Sequence, residues 1–296
     1  MPLLGELSAL LTAVLWSCSA LIFTTATKRV GSFQVNITRL ILAVVYLSFL
    51  ILLMGYDINL SRTQIMNLSI SGVIGLSLGD TFLFKAFQEI GARISMLFMS
   101  LAPAIAALLA YLFLGETLSV IAILGIAITV FGVSIVVLDR GGNLSERVIL
   151  TTSGVVYALL GAIGQGVGLI FAKMAFREAE INGFVASTIR IAASLILLLP
   201  VAVMTRRYKN PIRIFSEDKK AFWYTALGSV LGPFLGISFS LIAIEYTNVG
   251  VAATIMAITP ILMLPLVRLI YKEKLAWRAI LGAFIAVAGV ALLFLR

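Results

Sequence analysis

Residues 79–138 read GDTFLFKAFQEIGARISMLFMSLAPAIAALLAYLFLGETLSVIAILGIAITVFGVSIVVL. Moved forward by 157 positions, the stretch falls on residues 236–295, and 18 of the 60 aligned residues are identical without a gap. The matches include Pro103/Pro260, Glu116/Glu273, Leu118/Leu275, Gly125/Gly282 and Gly132/Gly289. Apolar composition produces chance identities among aliphatic residues. It does not align a proline, a glutamate and two glycines at one constant offset. A fixed internal period is a statement about architecture before anything else, so the chain is read as two copies of one unit. The likeness extends outward. Leu21-Ile22-Phe23 matches Leu169-Ile170-Phe171, and Phe33 and Arg39 match Phe184 and Arg190. Units at 1–140 and 149–296 follow, divided by the polar segment DRGGNLSERV.

Composition decides the solvent. Of 296 residues, 61% are hydrophobic and 12% charged, against about 25% charged in soluble domains. A globule of this size cannot hide that much apolar surface, so lipid is the solvent. Ten apolar spans are read at about 4–27, 33–54, 66–88, 94–114, 118–138, 149–172, 182–204, 221–244, 248–270 and 275–295. Each is near the ~20 residues a helix needs to cross the hydrocarbon core. No period-2 alternation points to a barrel. The first span lacks a basic leader and is too long for the core of a signal peptide, so it is read as a retained helix. The fold class is therefore an all-α integral membrane protein, with ten transmembrane helices as two five-helix repeats. An odd number of spans per unit makes the second copy enter from the opposite side, an inverted repeat. Two inverted copies can exchange roles, which is a physical basis for alternating access.

Chemistry is bounded just as firmly. The chain has no His and one cysteine, Cys18, which excludes His-dependent catalysis, an intrachain disulfide and a thiolate metal centre. No cofactor and no metal are expected. The net charge of +9 suggests nucleic acid in a soluble protein, but here the basic residues flank apolar runs, the pattern that orients membrane proteins. Loops after odd-numbered spans, with adjoining helix ends, hold seventeen Lys and Arg and the opposite side five. This places both termini outside the cytoplasm, with the bilayer as partner and no nucleic acid. Oligomeric state is not readable.

Candidate site residues are those that are costly in lipid. Asp80 and Lys85 lie within the third span, and their repeat counterparts are Ile237 and Ile242, so the fold unit does not need the charges. Ionisable residues at membrane depth face a cavity or a partner. They are read either as a mutually neutralising network or as part of a substrate path, with Asp80 as a proton-coupling group. Arg39 and Arg190 are symmetric and near helix starts; snorkelling to the headgroups and binding of a carboxylate are the two readings. Trp16, Ser17, Asn36 and Gln165 add polar groups, with Gln165 in the place of Ser17 at an offset of 148. Pro103 and Pro260, about ten residues into their spans, are read as structural kinks, and Glu116 and Glu273 as helix-opening acids favoured by the macrodipole. The glycines of the third, sixth and eighth spans are read as close helix contacts. One enzyme-like pattern competes. Tyr56-Asp57 and Ser77-Leu78-Gly79-Asp80 are similar to the paired motifs of aspartyl intramembrane proteases, whose carboxylates must come close enough to share a proton. The first motif glycine is missing, and Asp57 falls beyond its span.

Pro103, Gly115-Glu116-Thr117-Leu118, Gly125 and Gly132, repeated as Pro260, Lys272-Glu273-Lys274-Leu275, Gly282 and Gly289, resemble the EamA-type unit of the drug/metabolite transporter superfamily in its ten-helix form. The resemblance covers essentially the whole chain. It implies an inner-membrane transporter, not an enzyme, that moves a small polar metabolite by alternating access, with export of an amino acid or related organic compound as the expected activity. It also implies that the first, third and fourth helices of each unit line a central cavity while the fifth packs outside it. No fixed substrate residue carries over.

Overall fold

The computed structural model describes residues 3–114, 117, 119–138, 150–247, 249–270 and 276–293. Its regular elements are helical throughout the described residues. Those of the first half are α1 (Leu4–Val30), α2 (Ser32–Met54), α3 (Arg62–Gly72), π1 (Val73–Gly79), α4 (Asp80–Met99), α5 (Ala102–Leu114) and α6 (Val120–Leu138). The second half contains α7 (Thr152–Glu178), α8 (Gly183–Met204), α9 (Pro211–Glu217), α10 (Lys219–Ser229), π2 (Val230–Gly236), α11 (Ile237–Tyr246), α12 (Val249–Met256), α13 (Thr259–Ile270) and α14 (Trp277–Leu293). Among the described residues seven helices are long and apolar enough to cross a membrane, and 102–113, 120–136 and 277–292 are shorter apolar helices. Large apolar side chains such as Phe49, Leu52, Phe131 and Ile196 stay exposed on outward faces, far more than a water-soluble surface carries.

The offset of 157 seen in sequence recurs in the backbone. α3 and α10 span matching residues, as do π1 and π2, and α4 and α11 start at matching positions. Caps match as well. Ser61 accepts from the Gln64 backbone N–H at 3.0 Å and Asp218 from Ala221 N–H at 3.0 Å, each closing the first turn of its helix. The polar segment 205–220 is not a plain loop, because Asn210 caps the short α9 and Pro211 opens it.

Two features depart from the expected straight spans. First, each third span passes through a wide π turn. The Asp80 N–H donates to Gly75 O and the Ile237 N–H to Gly232 O, five residues back. One extra residue in the turn rotates everything that follows by about 100°. Second, the fourth and ninth spans are interrupted just before the prolines read as kinks. A two-residue turn interrupts each, at Ser100–Leu101 and Ala257–Ile258, where the Ser100, Leu101 and Ile258 N–H groups donate three residues back, and Pro103 and Pro260 sit in the first turn of the following segments α5 and α13. A proline there loses no hydrogen bond, since first-turn N–H groups lack helical partners. A third feature marks the joint between spans three and four. Gly91 has φ 76° and ψ 170°, a region open essentially to glycine alone, which lets the chain reverse without a loop.

The glycines that made the repeat legible hold the fifth helices together. A Cβ on Gly132 would lie 2.7 Å from Gly282 O, one on Gly282 2.8 Å from Gly132 O, and one on Gly289 2.7 Å from Gly125 O. α6 and α14 thus meet backbone to backbone. In lipid, where apolar burial no longer drives helix association, such close packing is what stabilises a pair. Glu116 and Glu273 lie outside the described residues.

Candidate functional site

Between the halves lies a cavity of about 190 Å³. Its walls come from α1, α2, π1, α4, α5, α7, α8, π2, α11, α12 and α13. The described side chains of α6 and α14 contribute nothing, in line with the peripheral place the resemblance gave the fifth helices. Both breaks open onto it, with Ser100 and Pro103 on one wall and Ala257, Thr259 and Pro260 on the other.

The charged cluster of this cavity is built around Asp80, which the π turn delivers at the start of α4. Asp80 is 4% exposed and pairs through Oδ2 with the Arg39 guanidinium. Its Oδ1 accepts from Gln165 Nε2 at 2.6 Å. Gln165 Nε2 also reaches Gly75 O at 3.2 Å, so one amide clamps both ends of the π turn. Arg39 is fixed from behind. Its Nε donates to Asn36 Oδ1 at 2.9 Å, and Asn36 Nδ2 donates to Thr81 Oγ1 at 3.1 Å. Its guanidinium lies 4.4 Å from the Phe84 ring centroid and 5.5 Å from that of Phe23. A desolvated cation–π contact of this kind is worth roughly 2 kcal/mol. Arg190, the repeat counterpart of Arg39, lines the same cavity. Arg39, Asp80 and Arg190 are the charged groups in the described wall; the remainder is largely apolar, with Trp16, Phe87, Met96, Met99 and Met256.

Several expectations change. The snorkelling reading of Arg39 and Arg190 fails, since both are buried and turned inward. Lys85 does not neutralise Asp80. Five residues of helix separate them, and the Lys85 ammonium sits 4.7 Å from the Tyr157 ring centroid, in a second, basic groove with Arg29, Arg206, Arg207 and Lys209. Ser17 does not line the cavity as Gln165 does. Its hydroxyl donates to Ala13 O at 2.7 Å and to Thr259 O at 3.2 Å, so it ties α1 to the broken ninth span. Asn36 braces Arg39 and does not line the cavity itself. Asp57 is exposed, with its carboxylate capping Asn59 N–H at 2.9 Å, while Asp80 is buried against Arg39. The structure does not bring the two carboxylates together as a protease requires.

Tight packing holds the cluster in place. A Cβ on Gly164 would fall 2.7 Å from Gly79 Cα, and one on Gly168 3.1 Å from Gly75 Cα, so α7 lies directly on π1. Ser71 Oγ donates to Gly168 O at 2.6 Å across the same seam. In the other half the position matching Gly164 is Trp16, whose indole rests on Gly236 and reaches the cavity. The aromatic pair around Arg39 and the methionines carried no sequence signal that set them apart from ordinary apolar lining. The π turns had one, in the paired glycines Gly75/Gly232 and Gly79/Gly236.

Comparison with known proteins agrees with this architecture. A protein of Archaeoglobus fulgidus described as an "Uncharacterized transporter" is 24% identical over 293 residues, covering 99% of both chains. A solved structure, described as "Crystal structure of protein", superposes with a TM-score of 0.67 over 97% of both chains at 16% identity, a likeness of fold alone. The EamA-like transporter family matches twice, over residues 3–138 and 152–295. With a helical membrane architecture, a cavity between its halves and two matching units along nearly its whole length, the chain belongs to the EamA-like transporter family.

Proposed function

We propose that the protein crosses the cell (inner) membrane ten times and exports a small polar metabolite, an amino acid or related organic compound, by alternating access. The units are residues 1–140 and 149–296, inserted in opposite senses, with both termini outside. In this reading the seven long helices and three shorter ones supply ten spans, with 62–99 divided at Gly91 and its second part joined to 102–113 as the fourth. One observation carries the proposal. The charged cavity lies between the halves and is flanked by matching breaks at Ser100–Leu101 and Ala257–Ile258. Segments that end at such breaks can pivot about the cavity without dragging whole helices, one half opening as the other closes. A fixed pore has no use for a hinge repeated in two inverted copies.

Asp80 is the carboxylate of the described cavity wall, so a proton-driven cycle would run through it. The test is counter-flow with purified protein in liposomes. The proposal expects saturable uptake stimulated by substrate on the far side. Flux that never saturates would make it a channel, and cleavage of a helical peptide would make it an enzyme.

A further inference from the structure

Arg190 is 6% exposed and lines the cavity. Among the described residues its guanidinium has no hydrogen-bonding or ion-pairing partner, and its Nε is buried without one. The Asp80 oxygens are held by Arg39 and Gln165. A buried cation without a hydrogen-bonded counter-charge is costly.

The repeat explains how this arose. Arg39 and Arg190 occupy the same place in their units. The partner of Arg39 is Asp80, and the counterpart of Asp80 is Ile237, which also lines the cavity. The second half therefore keeps the arginine and lacks the carboxylate. Two guanidiniums against one carboxylate leave the described wall with one surplus positive charge.

We propose that Arg190 is the receptor for the carboxylate of a monoanionic organic acid, seated beside Ile237 where the second half lacks an aspartate. The inference rests on the transporter reading and narrows its substrate class. One guanidinium binds a carboxylate through two parallel N–H···O bonds, and one negative charge balances the surplus where a dianion would overshoot it. The rest of the acid meets Met256, Trp16 and other apolar wall, which suits an aliphatic or aromatic body. An ammonium group finds no free carboxylate in the described wall, so a zwitterion has one end unserved. Amino acids are thus weaker ligands than the corresponding deaminated acids.

Thermal unfolding of the full-length protein in detergent tests this with three probes of one skeleton: 4-methylvalerate, leucine and isoamylamine. A ligand that binds only the folded state raises the melting temperature. The expected order is 4-methylvalerate, then leucine, with no effect of isoamylamine or of inorganic phosphate. Arg190→Ala weakens 4-methylvalerate by about tenfold to a hundredfold, the range for a charged hydrogen-bonded contact, and Arg190→Lys recovers part of it. Ile237→Asp supplies the missing carboxylate from within. It abolishes the ligand shift while raising the melting temperature of the unliganded protein, whereas Ile237→Asn does not raise it. The proposal is overturned if no carboxylate stabilises the protein, if the amine does so equally, or if Arg190→Ala and Ile237→Asp both keep their response to 4-methylvalerate. Counter-flow of labelled 4-methylvalerate separates the two levels. Binding that depends on Arg190 without counter-flow sinks the transporter reading and leaves the site. Counter-flow of other solutes, with carboxylates inert, sinks the site and leaves the transporter.

Discussion

Gly164→Val would force α7 away from π1. The nearest neighbours of an added Cβ are Gly79 Cα at 2.7 Å, Gly79 N at 3.1 Å and Ile74 O at 3.2 Å. All three are backbone, so no side chain can swing aside. Ordinary contact begins at 3.4 Å, so the helices must part by 3.4 − 2.7, or 0.7 Å, for the first carbon alone. Overpacking of this kind costs about 3 kcal/mol. Valine and glycine differ in helix propensity by only a few tenths of a kcal/mol, so the loss is steric. The displacement also reaches the site. The 2.6 Å bond from Gln165 to Asp80 stretches to about 3.3 Å, near the limit of a useful hydrogen bond, and substrate affinity falls with stability. Gly75→Ala is the control. Its Cβ meets the Arg190 guanidinium and Gln165 Oε1 at 3.6 Å each, ordinary contact, so stability changes by less than about 1 kcal/mol. Reversible unfolding in detergent–denaturant mixtures measures both. The reasoning fails if Gly164→Val unfolds within about 0.5 kcal/mol of the wild type, a change typical of neutral surface sites, or if Gly75→Ala is equally harmful.

Other predictions follow from single observations. Gly91→Ala loses about 1–3 kcal/mol although no atom lies within 4 Å of its Cβ, because the backbone at φ 76° excludes alanine; the same unfolding assay reads it. Asp80→Asn abolishes uptake driven by a proton gradient and leaves exchange by the folded protein intact if protons couple there, and unchanged gradient-driven uptake would remove Asp80 from coupling. The Arg29 guanidinium and then the Ala221 N–H hold the Asp218 carboxyl below its usual range. A depressed carboxylate adds stability that is present above its unfolded pKa and is lost as pH falls through the folded one. Amide exchange in the first turn of α10 should therefore speed up in acid, and more steeply at low salt; exchange indifferent to pH after correction for its intrinsic rate would show that the pair does not hold the turn.

Much of the fold was legible because lipid makes sequence patterns literal. Apolar runs mark helices, and the constant offset between Pro103 and Pro260 correctly paired elements that the backbone repeats. What the offset concealed was local. Proline ten residues into an apolar run reads as a kink, and hydropathy does not register that the helix is interrupted by a two-residue turn just before it. A π turn changes no residue type, only which backbone carbonyl is used. Of the site, Asp80, Arg39, Arg190 and Gln165 stood out because charge and amide groups are costly at depth, and the structure brings them to one cavity. Their partners were less accessible. The rotation imposed by π1 turns the whole of α4 and so brings Asp80 to Arg39, while Lys85, five residues on in the same helix, faces away from Asp80 by ordinary helical spacing. Ser17 and Gln165 match by offset but not by role, because the wall opposite Ser17 is the broken ninth span.

The central claim is that the cavity opens to one side at a time. In a Cys18→Ser background, Ser240→Cys places a thiol on the cavity wall, at a position now 5% exposed. Labelling it with a membrane-impermeant thiol reagent, applied to either face of oriented vesicles, tests the claim most directly. Alternating access predicts that each face can label the whole population given time, and that a transported substrate raises the rate from one face while lowering it from the other. Fast labelling from both faces at once, unmoved by any substrate, would contradict it.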